Sequence, residues 1–362
     1  MGRALILIIR QEHRGPRIEI NVDSWIYANS WIYAMTFSAN GEYLLSGGGG
    51  VRVWRVEDGT QVARMEAKDV RCLAVSKDGR WIAAGTCLGD VFVWDAKTYE
   101  QVFHKEEHSY AITGVDFSPD STRLVSASTN QTASIWDILT GKQLQTLRHS
   151  IWVRAAKYSP QGGRIATATP DSIRVWDSKD GRLLLDINVG VDPLYNTGLL
   201  WSNNHLFVIS GNRIQQIDAS TGSVVSEWSV PISTYYSCIT LPNHGQFIAY
   251  SANRTITFWD TSSHTQLGHI QHPQGIYSTA LSPDDKFIAI GRMEGKVSLS
   301  RIIVSALFRS IVEHTSNSDP FTRRIRSPCL IYTQHSRNQS LRSMTPRSIH
   351  GSSINSRTRM HH

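Results

Sequence analysis

The feature that most constrains this chain is a Trp-Asp dipeptide, or a variant of it, that returns at a nearly constant interval. The indole position occurs seven times, and the successive gaps are 40, 42, 40, 41, 42 and 41 residues. The seven dipeptides are Trp54-Arg55, Trp94-Asp95, Trp136-Asp137, Trp176-Asp177, Ile217-Asp218, Trp259-Asp260 and Ser300-Arg301. Seven returns at one spacing predict a single structural unit copied seven times.

Each unit contains the signals of four short strands. In the third unit, residues 111–117 alternate apolar and polar side chains at the period of a strand, and Ser118-Pro119-Asp120 turns the chain. Further strands are predicted at 123–127, 132–136 and 143–147, with a tight turn at Thr140-Gly141 before the last. The same turn pattern recurs in other units, so the whole repeat region is predicted to be β-structure.

These residues closely resemble the WD-repeat family, and the resemblance covers roughly residues 17–301. It implies that each unit is a four-stranded blade of a β-propeller. In this family a blade is steadied by hydrogen bonds among a His, a Ser or Thr, a turn Asp and the Trp. The positions that match this structural set are Trp54, Trp94, Asp95, Trp136, Asp137, Trp176, Asp177, Asp218, Trp259, Asp260, His108, His149 and His272.

The match to the family's hydrogen-bond set is incomplete in every unit. The turn Asp is replaced by Asn130 and Asn253, and the fourth unit has Asp171 at a shifted spacing. Each missing buried hydrogen bond lowers the free energy of unfolding by about 0.5–1.5 kcal/mol. We therefore expect apolar packing to hold the propeller and the blades to differ in stability. The fifth unit, with Asn196 at an apolar position and Ile217 at the indole position, is expected to be the weakest.

The predicted fold class is all-β: a seven-bladed β-propeller of four-stranded antiparallel blades, with a disordered C-terminal tail. A ring of blades leaves unpaired strand edges unless its last blade is completed. Residues 17–22 alternate as a strand should, and we predict that they close the ring. The expected organisation is an N-terminal extension at 1–16, the propeller at 17–309 and a basic Ser/Arg-rich tail at 310–362.

The net charge of +7 belongs to the tail. Residues 302–362 contain nine Arg, no Lys and two acids, which leaves 28 basic and 28 acidic residues in 1–301. The basic tail could attract acidic partners or RNA. It could equally be sequence without a function, and the residues alone leave both interpretations open.

No motif of a known catalytic or metal chemistry is present in the sequence. The glycine run 47–50 lacks the Gly-Lys-Ser/Thr of a phosphate-binding loop and is predicted to be a hairpin turn. The four cysteines form no Cys-x-x-Cys pair, and His269 and His272 lack a third ligand. We therefore expect no enzyme activity, no cofactor, no metal and no membrane segment, with a location in the cytoplasm or else the nucleus.

The candidate partner-binding residues lie seven and five positions before the Ser of each first turn. There the family's first strand reaches the face around the central channel. Six of these fourteen positions hold Trp or Tyr, and two hold Arg, which are the residues that dominate interface hot spots. The predicted partner-binding set is Trp31, Tyr33, Asp69, Arg71, Trp152, Arg154, Tyr195, Tyr236 and Tyr277. The alternative is that these aromatic side chains only pack neighbouring blades together.

A tandem duplication, DSWIYA at 23–28 and NSWIYA at 29–34, precedes the first unit. The second copy is in register with the first strand. We predict that the first copy lengthens the preceding loop and brings Trp25 and Tyr27 to the same face; a duplication without a role is the alternative.

The leading functional hypothesis is a non-catalytic protein–protein interaction scaffold that binds a protein segment on the aromatic and Arg-rich face, within a multi-protein complex. One alternative is a nucleic-acid- or ribonucleoprotein-associated factor that uses the Arg-rich tail. A second alternative is a substrate-recruiting subunit of a larger regulatory complex.

Overall fold

The computed structural model describes residues 6–8, 19–21, 31–189, 198–231, 237–242, 245–292 and 295–305. Its contacts divide the chain at residue 309, and all described residues belong to the first unit. They form seven antiparallel four-stranded sheets, which confirms the seven-bladed propeller predicted from the repeat. The predicted disordered tail at 310–362 and the first copy of the duplication lie outside the described residues.

Within each blade the strands follow the order of the chain, from the first strand beside the centre of the ring to the fourth strand at the outer edge. The first strands of blades 1 to 7 are Ala34–Phe37, Val70–Val75, Ile112–Phe117, Ala155–Tyr158, Gly198–Ser202, Ser237–Thr240 and Ile276–Leu281. The second strands are Tyr43–Gly47, Trp81–Thr86, Arg123–Ser128, Arg164–Ala168, His205–Ser210, Phe247–Ala252 and Phe287–Arg292. The third strands are Val51–Arg55, Val91–Asp95, Thr132–Asp137, Ser172–Asp177, Arg213–Asp218, Thr255–Asp260 and Lys296–Arg301.

The fourth strands of blades 1 to 6 are Gln61–Met65, Gln101–Lys105, Gln143–Arg148, Leu183–Asn188, Val224–Ser229 and Gln266–Gln271. The fourth strand of blade 7 comes from the other end of the chain: Glu19–Asn21 pairs with the third strand, with Glu19 opposite Ser298 and Asn21 opposite Lys296. A separate two-stranded sheet pairs Ile6–Ile8 with Ile303–Ser305. Two N-terminal segments therefore pair with the end of the repeat region.

The ring is closed through the first strands, each of which lies beside the first strand of the next blade. This includes the junction between blade 7 and blade 1. There the Ser278 hydroxyl donates a hydrogen bond of 3.2 Å to the carbonyl of Ile32. Residues 246 positions apart in the chain are thus in direct contact.

The hydrophobic core of the described part is divided into seven clusters, one between each pair of neighbouring blades. Between blades 2 and 3, for example, Val91 and Val93 pack with Ile112, Leu124 and Trp136. Each sheet has two apolar faces, so it must be covered by a neighbour on each side. The stability of a blade therefore depends on the blades that flank it.

The acid of the Trp-Asp dipeptide caps the turn between the third and fourth strands. Asp137 accepts hydrogen bonds from the Thr140 amide at 2.8 Å and the Thr140 hydroxyl at 2.6 Å, and these bonds hold the pKa of Asp137 below its usual value. Gly141 follows with φ +61°, and a Cβ atom there would lie 3.2 Å from the Phe103 side chain of the preceding blade. The dipeptide thus shapes a turn that packs on the neighbouring outer strand.

The indole of the dipeptide takes part in a buried hydrogen-bond network where the second strand supplies a hydroxyl. In blade 3, the Trp136 indole donates to Ser126 Oγ at 2.8 Å, and Ser126 Oγ lies 2.8 Å from His108 Nε2. Asn130 Oδ1 can only accept, and burial lowers the pKa of His108, so in the neutral ring Nδ1 carries the proton and Nε2 accepts the Ser126 hydroxyl. Nδ1 of His108 then donates to Asn130 Oδ1 at 3.3 Å.

Blade 4 repeats the indole–hydroxyl–imidazole part of this network, while Nδ1 of its His149 lies 3.2 Å from the Leu147 carbonyl, and blade 1 keeps the indole–hydroxyl bond. Thr167 Oγ1 lies 2.8 Å from both the Trp176 indole nitrogen and His149 Nε2. In blade 1, the Trp54 indole donates to Ser46 Oγ at 2.9 Å.

The hydroxyl position is apolar in three other blades, where it is occupied by Ala84, Val208 and Ile290, all of them buried. In blade 6 it is Tyr250, whose hydroxyl donates to the Pro231 carbonyl at 2.9 Å. His272 precedes blade 7, which has Ser300 at the indole position, and its Nδ1 accepts the Gln274 amide at 3.2 Å. Its structural role therefore differs from those of His108 and His149.

We predict that Ser126→Ala lowers the free energy of unfolding by about 2–4 kcal/mol, because it leaves two buried nitrogens without their hydroxyl partner. Ser46→Ala, which removes one such bond, should cost about half as much. Urea unfolding monitored by tryptophan fluorescence measures both variants. Equal losses would show that the His108 bond contributes nothing.

We also predict that His149 makes the fold sensitive to acid. Burial, and secondarily the Arg174 charge, lowers the pKa of His149 from 6.5 to about 4. Between these values the unfolded chain binds a proton that the folded chain does not. The free energy of unfolding should therefore fall from pH 6.5 to pH 4, by on the order of 3 kcal/mol for this group. Urea unfolding between pH 7 and 4.5 should show a shallower decline for His149→Gln, and an unchanged decline would contradict the assignment.

Candidate functional site

The candidate site lies on one face of the ring, here called the upper face. It is formed by the turns between second and third strands and by the segments that lead into first strands. Backbone hydrogen bonds connect these elements across blades. The amides of Val70, Val153 and Ile276 donate to carbonyls in the upper turns of the preceding blades, at Gly48, Ser128 and Asn253. The segments of blades 2, 4 and 7 that carry predicted partner-binding residues are thereby held against the preceding blade as well as their own.

The residues between the predicted binding positions are buried, as the register requires. Ile32, Val70, Ile112, Val153 and Ile276 are all in the core. The corresponding Asn196 and Tyr235 lie outside the described residues. The repeat spacing therefore located the apolar side of the described first strands correctly.

A β-bulge occurs at the next position in three blades. The strand register skips Arg71, Thr113 and Tyr277, each directly after the buried residue. A bulge redirects a side chain relative to the regular alternation of a strand. Thr113 uses this geometry for structure, since its hydroxyl donates to the Val153 carbonyl of blade 4 at 2.7 Å. Arg71 and Tyr277 take part in an aromatic cluster.

The aromatic cluster consists of Trp31, Tyr33, Tyr277 and Arg71, and it joins blades 7, 1 and 2. The ring centroid of Trp31 lies 5.8 Å from Tyr33 and 5.4 Å from Tyr277, and the two tyrosine rings are 6.1 Å apart. The Arg71 guanidinium carbon lies 3.9 Å from the centroid of the Tyr33 ring. These distances are typical of attractive aromatic and cation–π contacts.

Glycine at position 48 makes room for the aromatic cluster. A Cβ atom there would lie 2.5 Å from the carbonyl oxygen of Trp31. Gly48 belongs to the turn between Gly47 and Val51, where its amide donates to the Gly50 carbonyl at 3.1 Å. The glycine run is therefore a hairpin turn, as predicted, and it seats the backbone of Trp31.

A second pair of predicted residues lies on blade 4. The side chain of Trp152 is 42% exposed, and the Arg154 guanidinium carbon lies 5.3 Å from its ring centroid. Both the pair and the aromatic cluster thus place a guanidinium beside an aromatic ring on the upper face. Two of the predicted residues, Tyr195 and Tyr236, lie outside the described residues.

Asp69 connects the aromatic cluster to a cysteine. Its backbone is left-handed (φ 52°), and its carbonyl accepts the Cys87 amide at 2.9 Å. Burial and the Asp69 carboxylate raise the pKa of the Cys87 thiol, whereas Arg71 lowers it. Cys72, Cys87 and Cys238 are free thiols, so the cysteines of the described part form no disulfide.

The sequence interpretation missed two exposed apolar residues on the same face. Leu88 is 62% exposed and Tyr110 is 64% exposed. A Cβ atom at Gly89, which directly follows Leu88, would clash with the carbonyl of His108, in the loop that carries Tyr110. The two loops therefore pack together. Leu88 lies six residues before its indole, where the third and sixth units have Asn130 and Asn253. An apolar residue at a polar turn position was the signal available in the sequence.

One group of side chains could hold a metal ion: donor atoms of Asp90, His104 and Glu106 lie within 4.8 Å of one another. The described strands, turns and loops include no helix that could cross a membrane. Chemically, the upper face offers aromatic surface and guanidinium groups, which suit binding of another chain.

Comparisons with known proteins agree with this architecture. The family model described as the first β-propeller of IFT122 matches residues 31–301. The chain is 26% identical over 236 residues to the U3 small nucleolar RNA-associated protein 15 homolog of Xenopus laevis, covering 63% of this chain and 45% of that protein. It is 25% identical over 279 residues to WD repeat-containing protein 18 of Danio rerio, covering 67% and 63%.

A third relative is the transcriptional corepressor LEUNIG_HOMOLOG of Arabidopsis thaliana, which is 23% identical over 280 residues, covering 65% of this chain and 36% of the relative. The chain thus spans less than half the length of the U3-associated relative and of the corepressor. The family model covers most of the chain, and the described residues form the corresponding seven blades. The chain belongs to the WD-repeat β-propeller family.

Proposed function

We propose that the protein is a non-catalytic scaffold that binds a segment of a partner protein on its upper face, as part of a larger complex. The observation that carries this proposal is the aromatic cluster of Trp31, Tyr33, Tyr277 and Arg71. Three rings and a guanidinium from three blades meet there. Trp31, Tyr33 and Arg71 are half-buried and can be reached by a partner, whereas Tyr277 is buried and supports the rings beside it. Trp, Tyr and Arg are the residue types that supply most of the binding energy in protein interfaces.

The exposed apolar surface on the neighbouring blades supports the same proposal. Leu88 and Tyr110 on the upper loops of blades 2 and 3 are followed by Trp152 on blade 4, all more than 40% exposed. Apolar side chains exposed on adjacent upper loops favour an interaction surface over a purely structural rim. A partner segment would contact the cluster and these residues in succession.

A ribonucleoprotein association through the basic tail is the second candidate function. It is favoured by the names of relatives that describe U3 small nucleolar RNA-associated proteins. Under this candidate the protein works in the nucleus, the alternative to the cytoplasm. A substrate-recruiting role in a regulatory complex would use the upper face in the same way as the scaffold.

The scaffold proposal predicts that the double substitution Trp152→Ala and Arg154→Ala weakens partner binding at least tenfold, which is the size of effect expected for a hot spot. Affinity capture of the tagged full chain from cells, with quantitative identification of the bound proteins, measures this change. Arg71→Ala should reduce the captured amounts of the same partner proteins.

The matched control is Leu183→Ala, on the outer strand of the same blade. Leu183 is 43% exposed, close to the 42% of Trp152, but it lies away from the upper face. This variant should capture partners as the unmodified chain does. Equal capture by all variants would argue against the upper face as the binding surface.

The tail candidate predicts a different response. The affinity of the full chain for RNA should fall steeply between about 50 and 200 mM salt, because each phosphate contact releases bound counterions. The binding should disappear when residues 310–362 are removed. Fluorescence anisotropy with a labelled single-stranded RNA measures both effects. Binding that survives the deletion would rule out the tail as the RNA-binding element.

A further inference from the structure

Three potential metal ligands converge at the upper, outer part of blade 2. Asp90 directly precedes the third strand, His104 lies in the fourth strand, and Glu106 follows that strand. One donor atom from each lies within 4.8 Å of the other two. None of these residues belongs to the partner-binding surface proposed above, so the group is an independent feature.

The imidazole of His104 is held in place by aromatic stacking. His104 is paired across the strands with Phe92, and their rings are stacked with centroids 4.1 Å apart and planes 3° apart. Phe92 stacks in turn on Trp94 at 5.3 Å and 4°. Both residues below the imidazole are buried. The ring plane is therefore fixed before any ligand arrives, which lowers the entropy lost on coordination.

The carboxylate of Asp90 is held by a neighbouring hydroxyl. Thr86 Oγ1 donates to Asp90 Oδ2 at 3.0 Å, and the Asp90 amide donates back to the same hydroxyl oxygen at 3.0 Å. The other carboxylate oxygen, Oδ1, lies 3.2 Å from His104 Nε2. Hydrogen bonds of this kind to a ligating carboxylate orient it and stabilise metal sites.

The separation of the two fixed donor atoms matches a metal chelate. In a tetrahedral zinc site with bonds of about 2.0–2.1 Å, two donor atoms lie about 3.3 Å apart. The 3.2 Å between Asp90 Oδ1 and His104 Nε2, which form an ion pair in the structure, is close to this separation. Glu106 is exposed, so its side chain can adjust to supply the third donor.

We propose that Asp90, His104 and Glu106 form a binding site for a divalent transition-metal ion of the zinc class. One imidazole and two carboxylates suit such an ion better than magnesium or calcium, which take oxygen ligands. Three protein ligands leave a fourth coordination position for water or for a side chain of a partner. The bound ion would join the upper turn of blade 2 to its outer strand.

The test is isothermal titration of the full chain with zinc chloride, and with magnesium chloride for comparison. His104→Phe removes the donor but keeps a ring to stack on Phe92, and Glu106→Gln changes only an exposed side chain. His269→Gln is the matched control, because His269 is an exposed histidine in the fourth strand of blade 6. Urea unfolding of each variant checks that the fold is retained.

The unmodified chain and His269→Gln should each bind one more zinc ion than the other two variants do, and this binding should saturate. Magnesium should not compete with zinc for the site. His104→Phe and Glu106→Gln should each weaken that binding at least tenfold, while background binding by other histidines and cysteines stays common to all four proteins. The proposal is overturned if both variants bind zinc as the unmodified chain does, or if only one of them weakens binding, since the other residue would then not be a ligand. An ordinary ion pair between Asp90 and His104 would give the first of these results.

Discussion

Apolar packing between neighbouring blades is the interaction on which the structure depends. Each sheet has two apolar faces and can cover both only if a blade lies on either side, so the units are stable as a closed ring and not singly. This explains why blades without the buried hydroxyl network persist. Ala84, Val208 and Ile290 replace the hydroxyl, yet each is buried. Ile217, at the indole position of blade 5, is likewise fully buried in the cluster between blades 4 and 5.

The sequence predicted most of the fold because each strand and turn lies at a nearly constant distance from the Trp-Asp dipeptide of its unit. Counting from the dipeptide located the four strands of the third unit to within one residue, and buried residues such as Val70 and Ile112. The sequence marked Leu88 as an apolar residue at a polar turn position, but it could not predict how far a loop side chain would project. The exposure of Leu88 and Tyr110, and the approach of His104 to Asp90, depend on how neighbouring strands and loops pack. That packing is set by contacts beyond the period of the repeat.

The upper face combines a rigid backbone with side chains that a partner can contact. Its aromatic cluster is built on backbone that is hydrogen-bonded to two blades, and a bulge redirects Arg71 and Tyr277 out of the regular alternation. The close approach at Gly48 fixes the position of the Trp31 backbone. Because these side chains are already ordered by one another, the partner proposed above would bind them with little loss of conformational entropy. The repeat thus creates equivalent positions, and local substitutions give them different uses.

The pairing of Glu19–Asn21 with the last blade has a consequence for how the protein is made. The partner residues of this strand lie some 275 positions later in the chain, so a ribosome adding about 5–20 residues per second needs roughly 14–55 s to synthesise them. During that interval the N-terminal strand has no native neighbour to pair with. A molecular chaperone that shields extended, unpaired segments would therefore have its longest opportunity at the start of this chain.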